Sequence, residues 1–248
     1  MKKLWLDVRS VLLWAVSGVH FFLGVIALVL MAIFIDPKKN DWPQRAFCRN
    51  ILRLAGAKLV VRCAPGFDPK RTSFLVSNHV NLFDPFVLYA AIPQFARGLE
   101  LESHFKIPVY GILMKRFGNV PVPDVRRPSD LRRMRELTRA ALQHGTSLIV
   151  FPEAKRTLDG RVDAFEAGAF RMAQQWSYPI VPVSIVGSFE FHHKGYWALR
   201  PATIVVYLHD TIETQGLTKE DVGALRDRVH GIVSAPVEAY YAARESDR

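Results

Sequence analysis

Residues 11–35, VLLWAVSGVHFFLGVIALVLMAIFI, carry no charged side chain, and this run restricts the possible folds more than any other feature. As a helix it measures about 38 Å, longer than the roughly 30 Å hydrocarbon core of a bilayer. A secretory signal has a shorter apolar stretch, about 7–15 residues, ending in a small-residue cleavage site, so this segment is expected to stay. Both flanks are basic, with Lys2, Lys3 and Arg9 before the run and Lys38, Lys39 and Arg45 after it. The positive-inside rule therefore assigns no orientation. A helix that dips into one leaflet fits this symmetry as well as a span does.

In the next stretch, WPQRAFCRNILRLAGA (42–57), Arg45, Arg49 and Arg53 share one helical face and Phe47, Ile51 and Leu54 another. The pattern is that of a basic amphipathic helix at an anionic membrane surface; the alternative is an ordinary helix packed on the following domain. Residues 1–57 are read as an N-terminal membrane-anchoring module. Lys and Arg number 33 against 23 Asp and Glu, a net charge of +10, which suggests a polyanionic partner. Nucleic acid is disfavoured, because the cations are scattered and no aromatic-interleaved strip or binding motif accompanies them. Cys48 and Cys63 have no ligand spacing and fit inert packing in a reducing compartment rather than a disulfide or zinc site.

From residue 58 onward the texture is α/β. KLVVRC (58–63), TSFLVS (72–77), NVPV (119–122), SLIVF (147–151), PIVPVSIV (179–186) and ATIVVYL (202–208) read as strands. DPFVLYAAI, HFKIPVYGILMKRFG (104–118), SDLRRMRELTRAALQHG (129–145) and the last thirty residues read as helices. Such alternation predicts one α/β domain over 58–248, a mixed and largely parallel sheet flanked by helices.

Three polar clusters follow apolar strands: Asn78-His79 with Asp84, Val120-Pro121-Val122 leading to Arg126-Arg127, and Pro152-Glu153-Ala154-Lys155-Arg156. Ligands of open α/β sheets collect at the carboxyl ends of strands. Asp84 before Pro85 reads equally as a helix cap, and His79 as a turn residue. The sharper reading is an acid–base pair. A neutral His suits proton abstraction from an alcohol near pH 7, and a carboxylate on one ring nitrogen leaves the other free. There is no G-x-S-x-G elbow, H-E-x-x-H or P-loop, so nothing points to a serine intermediate. His192-His193 lack a carboxylate or Cys at ligand spacing, so no metal site is read there. His20, inside the apolar run, is expected to find a local partner.

NHVNLFD resembles the NHxxxxD motif of the lysophosphatidic acid acyltransferases (1-acylglycerol-3-phosphate acyltransferases). FKIPVYGILMKRFGNVPV, FPEAKRTLDGRVDAFEAGAF and PIVPVSIVGS resemble that family's second, third and fourth blocks, in order. The resemblance implies acyl transfer from acyl-CoA or acyl-carrier protein to the free hydroxyl of lysophosphatidic acid, with no cofactor. His79 is then the base and Asp84 its orienter. Arg156 holds the acceptor phosphate with Lys106 near the same ligand, and Glu153 orients Arg156 or an acceptor hydroxyl. It further implies contact with membrane lipids and a membrane location, the cytoplasmic membrane if the chain is bacterial, with the site facing the cytoplasm. Another lysolipid acceptor, such as a lyso-ornithine lipid, and a non-catalytic lipid binder are the alternatives.

The third block departs from the usual E-G-T-R. Ala154 in place of Gly implies ordinary backbone angles or a slightly different path. Lys155 in place of Thr sets a second cation beside Arg156, which favours a doubly charged phosphate monoester.

Overall fold

The computed structural model describes residues 2–125 and 127–246. Its helices are α1 (Lys2–Phe34), α2 (Trp42–Leu54), α3 (Asp84–Ala91), α4 (Tyr110–Arg116), α5 (Pro128–Gln143), α6 (Gly168–Trp176), α7 (Ser188–Phe191) and α8 (Val222–Ser246). The strands are β1 (Ala57–Cys63), β2 (Phe74–Ser77), β3 (Ala96–Leu101), β4 (Val120–Val122), β5 (Ser147–Val150), β6 (Ile180–Val186) and β7 (Ala202–Leu208). They form one sheet in the order β1-β7-β6-β2-β5-β3-β4. Only β6 and β7 run antiparallel, so the sheet is mixed and largely parallel, as the alternating elements predict.

β2, β5 and β6 are buried along their whole length, which is why they read as continuous apolar runs. Successive side chains point to opposite faces. Leu75 and Ile149 join a core with α1 to α4, while Phe74, Val76, Leu148 and Val150 join another with α5, α6 and α8. Two helical layers therefore sandwich the sheet.

α1 is not a free-standing rod. Ser10, Ser17, Val25, Leu28 and Ala32 are buried, and Trp14 and Phe21 fill the stripe between them. Spacings of three and four residues keep that stripe on one face. The opposite face leaves Leu4, Val8, Leu12, Val19, Leu23 and Leu30 exposed.

α2 has the predicted amphipathic form, but Phe47, Cys48, Ile51 and Leu52 are buried within the protein rather than at a free surface. Arg45 also leaves the expected basic stripe. It pairs with Asp41 at 2.8 Å and donates to the carbonyls of Ile92, Pro93 (2.8 Å) and Gln94 (2.9 Å), at the end of α3 where carbonyls lack helical partners. Arg49 and Arg53 stay exposed. Cys48 is buried, whereas Cys63 is exposed rather than packed.

Two further departures have local causes. The predicted helix over 104–118 is broken into a 3-10 turn, Glu102–Lys106, and α4. Pro108 disfavours helical angles at the residue before it, and Ile107 is extended (φ −67°, ψ 124°). Val109 follows at φ 62°, so the chain turns before α4 starts. β3 (ARGLEL) escapes sequence reading because Arg97 occupies a buried position, 1% exposed. Its guanidinium lies 3.8 Å from the centre of the Phe95 ring and donates to the carbonyls of Phe117 and Ala96 at 2.6 Å. The terminal helix is α8; Asp247 and Arg248 lie outside the described residues, as does Arg126 of the second polar cluster.

Candidate active site

β2 delivers its carboxyl end between β5 and β6, and the segment 78–84 turns there into α3. Asn78 fixes the exit. Its Nδ2 donates to the carbonyl of Ile185 (2.9 Å) and its Oδ1 accepts the Ile185 N–H (2.8 Å), so a side chain continues the β2–β6 pairing.

Asp84, fully buried, is the hub. The backbone N–H groups of Val80 and Asn81 reach its Oδ2 at 2.5 and 2.8 Å, and His79 Nδ1 meets the same oxygen at 2.8 Å. Ser188 Oγ donates to Oδ1 at 3.0 Å. An ionised carboxylate only accepts, so the proton of the neutral imidazole sits on Nδ1 and leaves the Nε2 lone pair free. The His79 ring stacks on Phe151 at the end of β5, with centroids 4.1 Å apart. Asn81 ties the loop to α7, its Nδ2 donating to the Ser188 and His192 carbonyls, each at 2.8 Å. Asn81 and Ser188 have central places that sequence reading did not assign. Both stand inside quoted motifs, Asn81 in NHVNLFD and Ser188 at the end of PIVPVSIVGS, but neither was given a role.

The third block grips His79 by its backbone. Glu153 Oε1 accepts the His79 N–H (2.7 Å), and the Thr157 N–H donates to the His79 carbonyl (2.9 Å). Glu153 Oε2 accepts the Asp163 N–H at 2.9 Å. Glu153 thus binds backbone rather than Arg156, the first of its two expected partners. Burial pushes its carboxyl from the ordinary 4.5 up to about 7, with the two N–H donors opposing the shift. Gly160 (φ 85°) is required where this block passes α8, because a Cβ there would stand 2.0 Å from the Tyr241 hydroxyl.

The expectation for Ala154 is overturned: its φ is 58°, in the left-handed region. Ala occupies the position that Gly would fill without strain. Lys155 does not add a second cation to the site. Its Nζ lies 3.5 Å from Asp163 Oδ2 and the side chain is 73% exposed, because Asp163 offers a carboxylate on the outer side of the block. Arg156 is half-buried and makes no hydrogen bond or ion pair among the described residues. Burial, with smaller contributions from His193 and Arg156, holds the His192 imidazole below its ordinary pKa, against the pull of Asp84. Lys106 ends the exposed side of the 3-10 turn and has no ion pair among the described residues. His20 stacks on Phe47 at 5.4 Å, but its buried Nε2 lacks the expected hydrogen-bond partner among the described residues. Among the described residues no three His, Cys, Asp or Glu side chains gather as a metal-ligand set.

Comparisons with known proteins bear on this geometry. The family model described as acyltransferase matches residues 61–186. The chain is 27% identical over 213 residues to human 1-acyl-sn-glycerol-3-phosphate acyltransferase alpha, covering 86% of this chain and 75% of that protein. It is 26% identical over 163 residues to 1-acyl-sn-glycerol-3-phosphate acyltransferase of Limnanthes douglasii, covering 66% of this chain and 58% of the plant protein. The crystal structure of the 1-acyl-sn-glycerophosphate (LPA) acyltransferase PlsC from Thermotoga maritima superposes with a TM-score of 0.77 at 23% identity, covering 98% of each chain. That likeness establishes the shared fold.

Proposed function

Because the chain belongs to the acyltransferase family, we propose that the site around His79 moves a fatty acyl group from acyl-CoA or acyl-carrier protein to the free hydroxyl of 1-acylglycerol-3-phosphate, making phosphatidic acid. The observation that carries this reading is the His79 Nδ1–Asp84 contact on a fully buried carboxylate held by three further donors. His79 Nε2 takes the hydroxyl proton as the oxygen attacks the thioester carbonyl carbon. The tetrahedral oxyanion re-forms its carbonyl and expels the thiolate, which takes the proton from the imidazolium. Asp84 holds the ring and its transient positive charge. No resident cofactor is needed in this scheme.

Arg156, without an acid partner among the described residues, is the group for the acceptor's phosphate; a guanidinium binds it through two parallel donors. Lys155, turned to Asp163, contributes little. Arg156→Ala is expected to raise the KM for the phosphate acceptor about tenfold or more, the loss typical of a charge-assisted hydrogen bond. Lys155→Thr is expected to leave KM within about twofold, as for an exposed ion pair. The outward turn of Lys155 also keeps a second reading open, in which the acceptor is a lysolipid with less negative charge. Thin-layer separation of products from purified protein, radiolabelled donor and a panel including lysophosphatidic acid and a lyso-ornithine lipid tests both readings. A preference for the phosphate-free acceptor would favour the second.

The proposed setting is one membrane leaflet. The helix Lys3–Phe34 is long and apolar enough to cross a membrane, yet its inward stripe rests on the domain from Ser10 to Ala32. Trp14 of this helix donates to the carbonyl of Trp197, which is 48% exposed, and packs on Phe83 beside Asp84, so lipid along α1 would reach the mouth of the site. Seating in the cytoplasmic leaflet leaves both ends of α1 on one side. Single cysteines placed as Lys3→Cys and Lys39→Cys, without Cys48 and Cys63, should be labelled from the same side; labelling from opposite sides would show a true span.

A further inference from the structure

Trp14 stands where α1 meets the segment that carries Asp84. Its indole N–H donates to the Trp197 carbonyl at 2.7 Å. One turn earlier, Ser10 Oγ accepts the Leu199 N–H at 3.1 Å while donating to the Leu6 carbonyl at 2.7 Å. Segment 197–199 is thereby fixed to α1. The Trp14 ring then packs on two aromatic neighbours, Phe83 at 5.6 Å and the edge of His192 at 5.8 Å.

Both neighbours lead to Asp84. Phe83 precedes it directly, donates its N–H to Asn81 Oδ1 at 2.7 Å and packs on Phe191 at 5.0 Å. His192 is 7% exposed. Its N–H donates to the Ser188 carbonyl at 3.1 Å and its carbonyl accepts from Asn81 Nδ2 at 2.8 Å. Asn81 and Ser188 are themselves donors to Asp84. One side chain of the membrane-facing helix thus touches the two residues that frame the donors of the buried carboxylate.

We propose that Trp14 is a positioning residue, holding Phe83 and His192 so that Asp84 keeps its donors and its hold on His79, which makes α1 a working wall of the site as well as a tether. The proposal rests on the reading of His79 and Asp84 as the base pair. A cavity in place of the indole lets Phe83 and His192 shift, and misplacing a reacting group by about 1 Å can cost on the order of 10²-fold in rate. Because Trp14 acts at one remove from the base, the expected loss is smaller.

The test uses the full-length protein in mixed micelles and on vesicles of phosphatidylcholine with phosphatidylglycerol. Trp14→Ala is expected to lower kcat about tenfold at unchanged KM for donor and acceptor, while sedimenting with vesicles like the wild type. Hydrogen exchange at the Val80 and Asn81 amides should accelerate. Trp14→Phe, which keeps a ring against Phe83 and His192, should restore most of kcat and the slow exchange. If Trp14→Ala does not fold, Trp14→Leu carries the same comparison. Unchanged kcat and exchange would overturn the proposal, as would a loss of rate explained wholly by lost vesicle binding. The amide exchange reports the coupling even if His79→Ala proves active, so failure of the base assignment is read separately.

Discussion

Replacing His79 with Ala is expected to lower kcat by about 10²–10⁴-fold, the contribution of a positioned general base, with the thermal transition nearly unchanged. The ring is partly exposed and its loss removes one of the four donors on Asp84, while the backbone ties of residue 79 to Glu153 and Thr157 need no side chain. Asp84→Asn separates charge from geometry. Its amide oxygen can replace Oδ2 and accept from Val80, Asn81 and His79, and its NH₂ can donate to Ser188 Oγ, which accepts as readily as it donates. The fold and tautomer are then kept while the negative charge that stabilises an imidazolium is lost. A drop in kcat on the order of 10²-fold in a stably folded Asp84→Asn protein is the expected outcome. Steady-state kinetics beside a thermal melt checks both variants; a His79→Ala protein keeping more than about a tenth of wild-type kcat would remove His79 from the role of base.

Glu153→Ala is the second large effect. It leaves the part-buried N–H groups of His79 and Asp163 without their acceptors, at about 1 kcal/mol each, the low end of the cost of an unpaired donor. The same loss frees the backbone of residue 79, and a displacement of about 1 Å is enough for roughly 10²-fold in kcat. Glu153→Gln cannot fully substitute, because its single carbonyl accepts only one of the two N–H groups. The pH dependence has a definite sign. A carboxyl raised from 4.5 to about 7 on folding binds more protons in the folded than in the unfolded state between those values. Its contribution to stability is therefore present below pH 4.5 and lost as pH rises toward 7. The wild-type melting temperature should fall across that window relative to Glu153→Gln, whose side chain does not titrate. A constant difference between the two proteins across pH 4.5–7 would contradict this.

Much of the architecture could be read from one chain because strongly buried strands have few ways to be written. β2, β5 and β6 are unbroken apolar runs, and α5 ends just before Gly145 (φ 74°), though it starts at Pro128 and not at a Ser-Asp cap. β3 was hidden because the polar side chain of Arg97 sits inside, its Nε and Nη1 donating to backbone carbonyls and its guanidinium over the Phe95 ring, an arrangement that periodicity cannot express. The break at Ile107–Val109 had a visible signal in Pro108, outweighed in the sequence reading by the apolar spacing around it. Within the site the sequence showed residue types and spacing, not partners. Residue type suggests that Glu153 orients Arg156 or an acceptor hydroxyl, whereas it holds two backbone N–H groups; Lys155, expected beside a phosphate, faces Asp163. Ala154 departs from the negative φ that its residue type prefers, at 58°. The partners of Glu153 and Lys155 lie elsewhere in the sequence, and spacing does not encode them.

On the proposed mechanism transfer is direct, with His79 drawing the proton from the acceptor and no acyl group ever resting on the protein. Rapid mixing of excess protein with radiolabelled acyl donor, followed by acid quench, tests it directly. Donor alone should leave the protein unlabelled, and addition of lysophosphatidic acid should carry the label into phosphatidic acid in one kinetic phase. Label bound to the protein in acid, formed before the acceptor is added and chased into lipid afterwards, would contradict it.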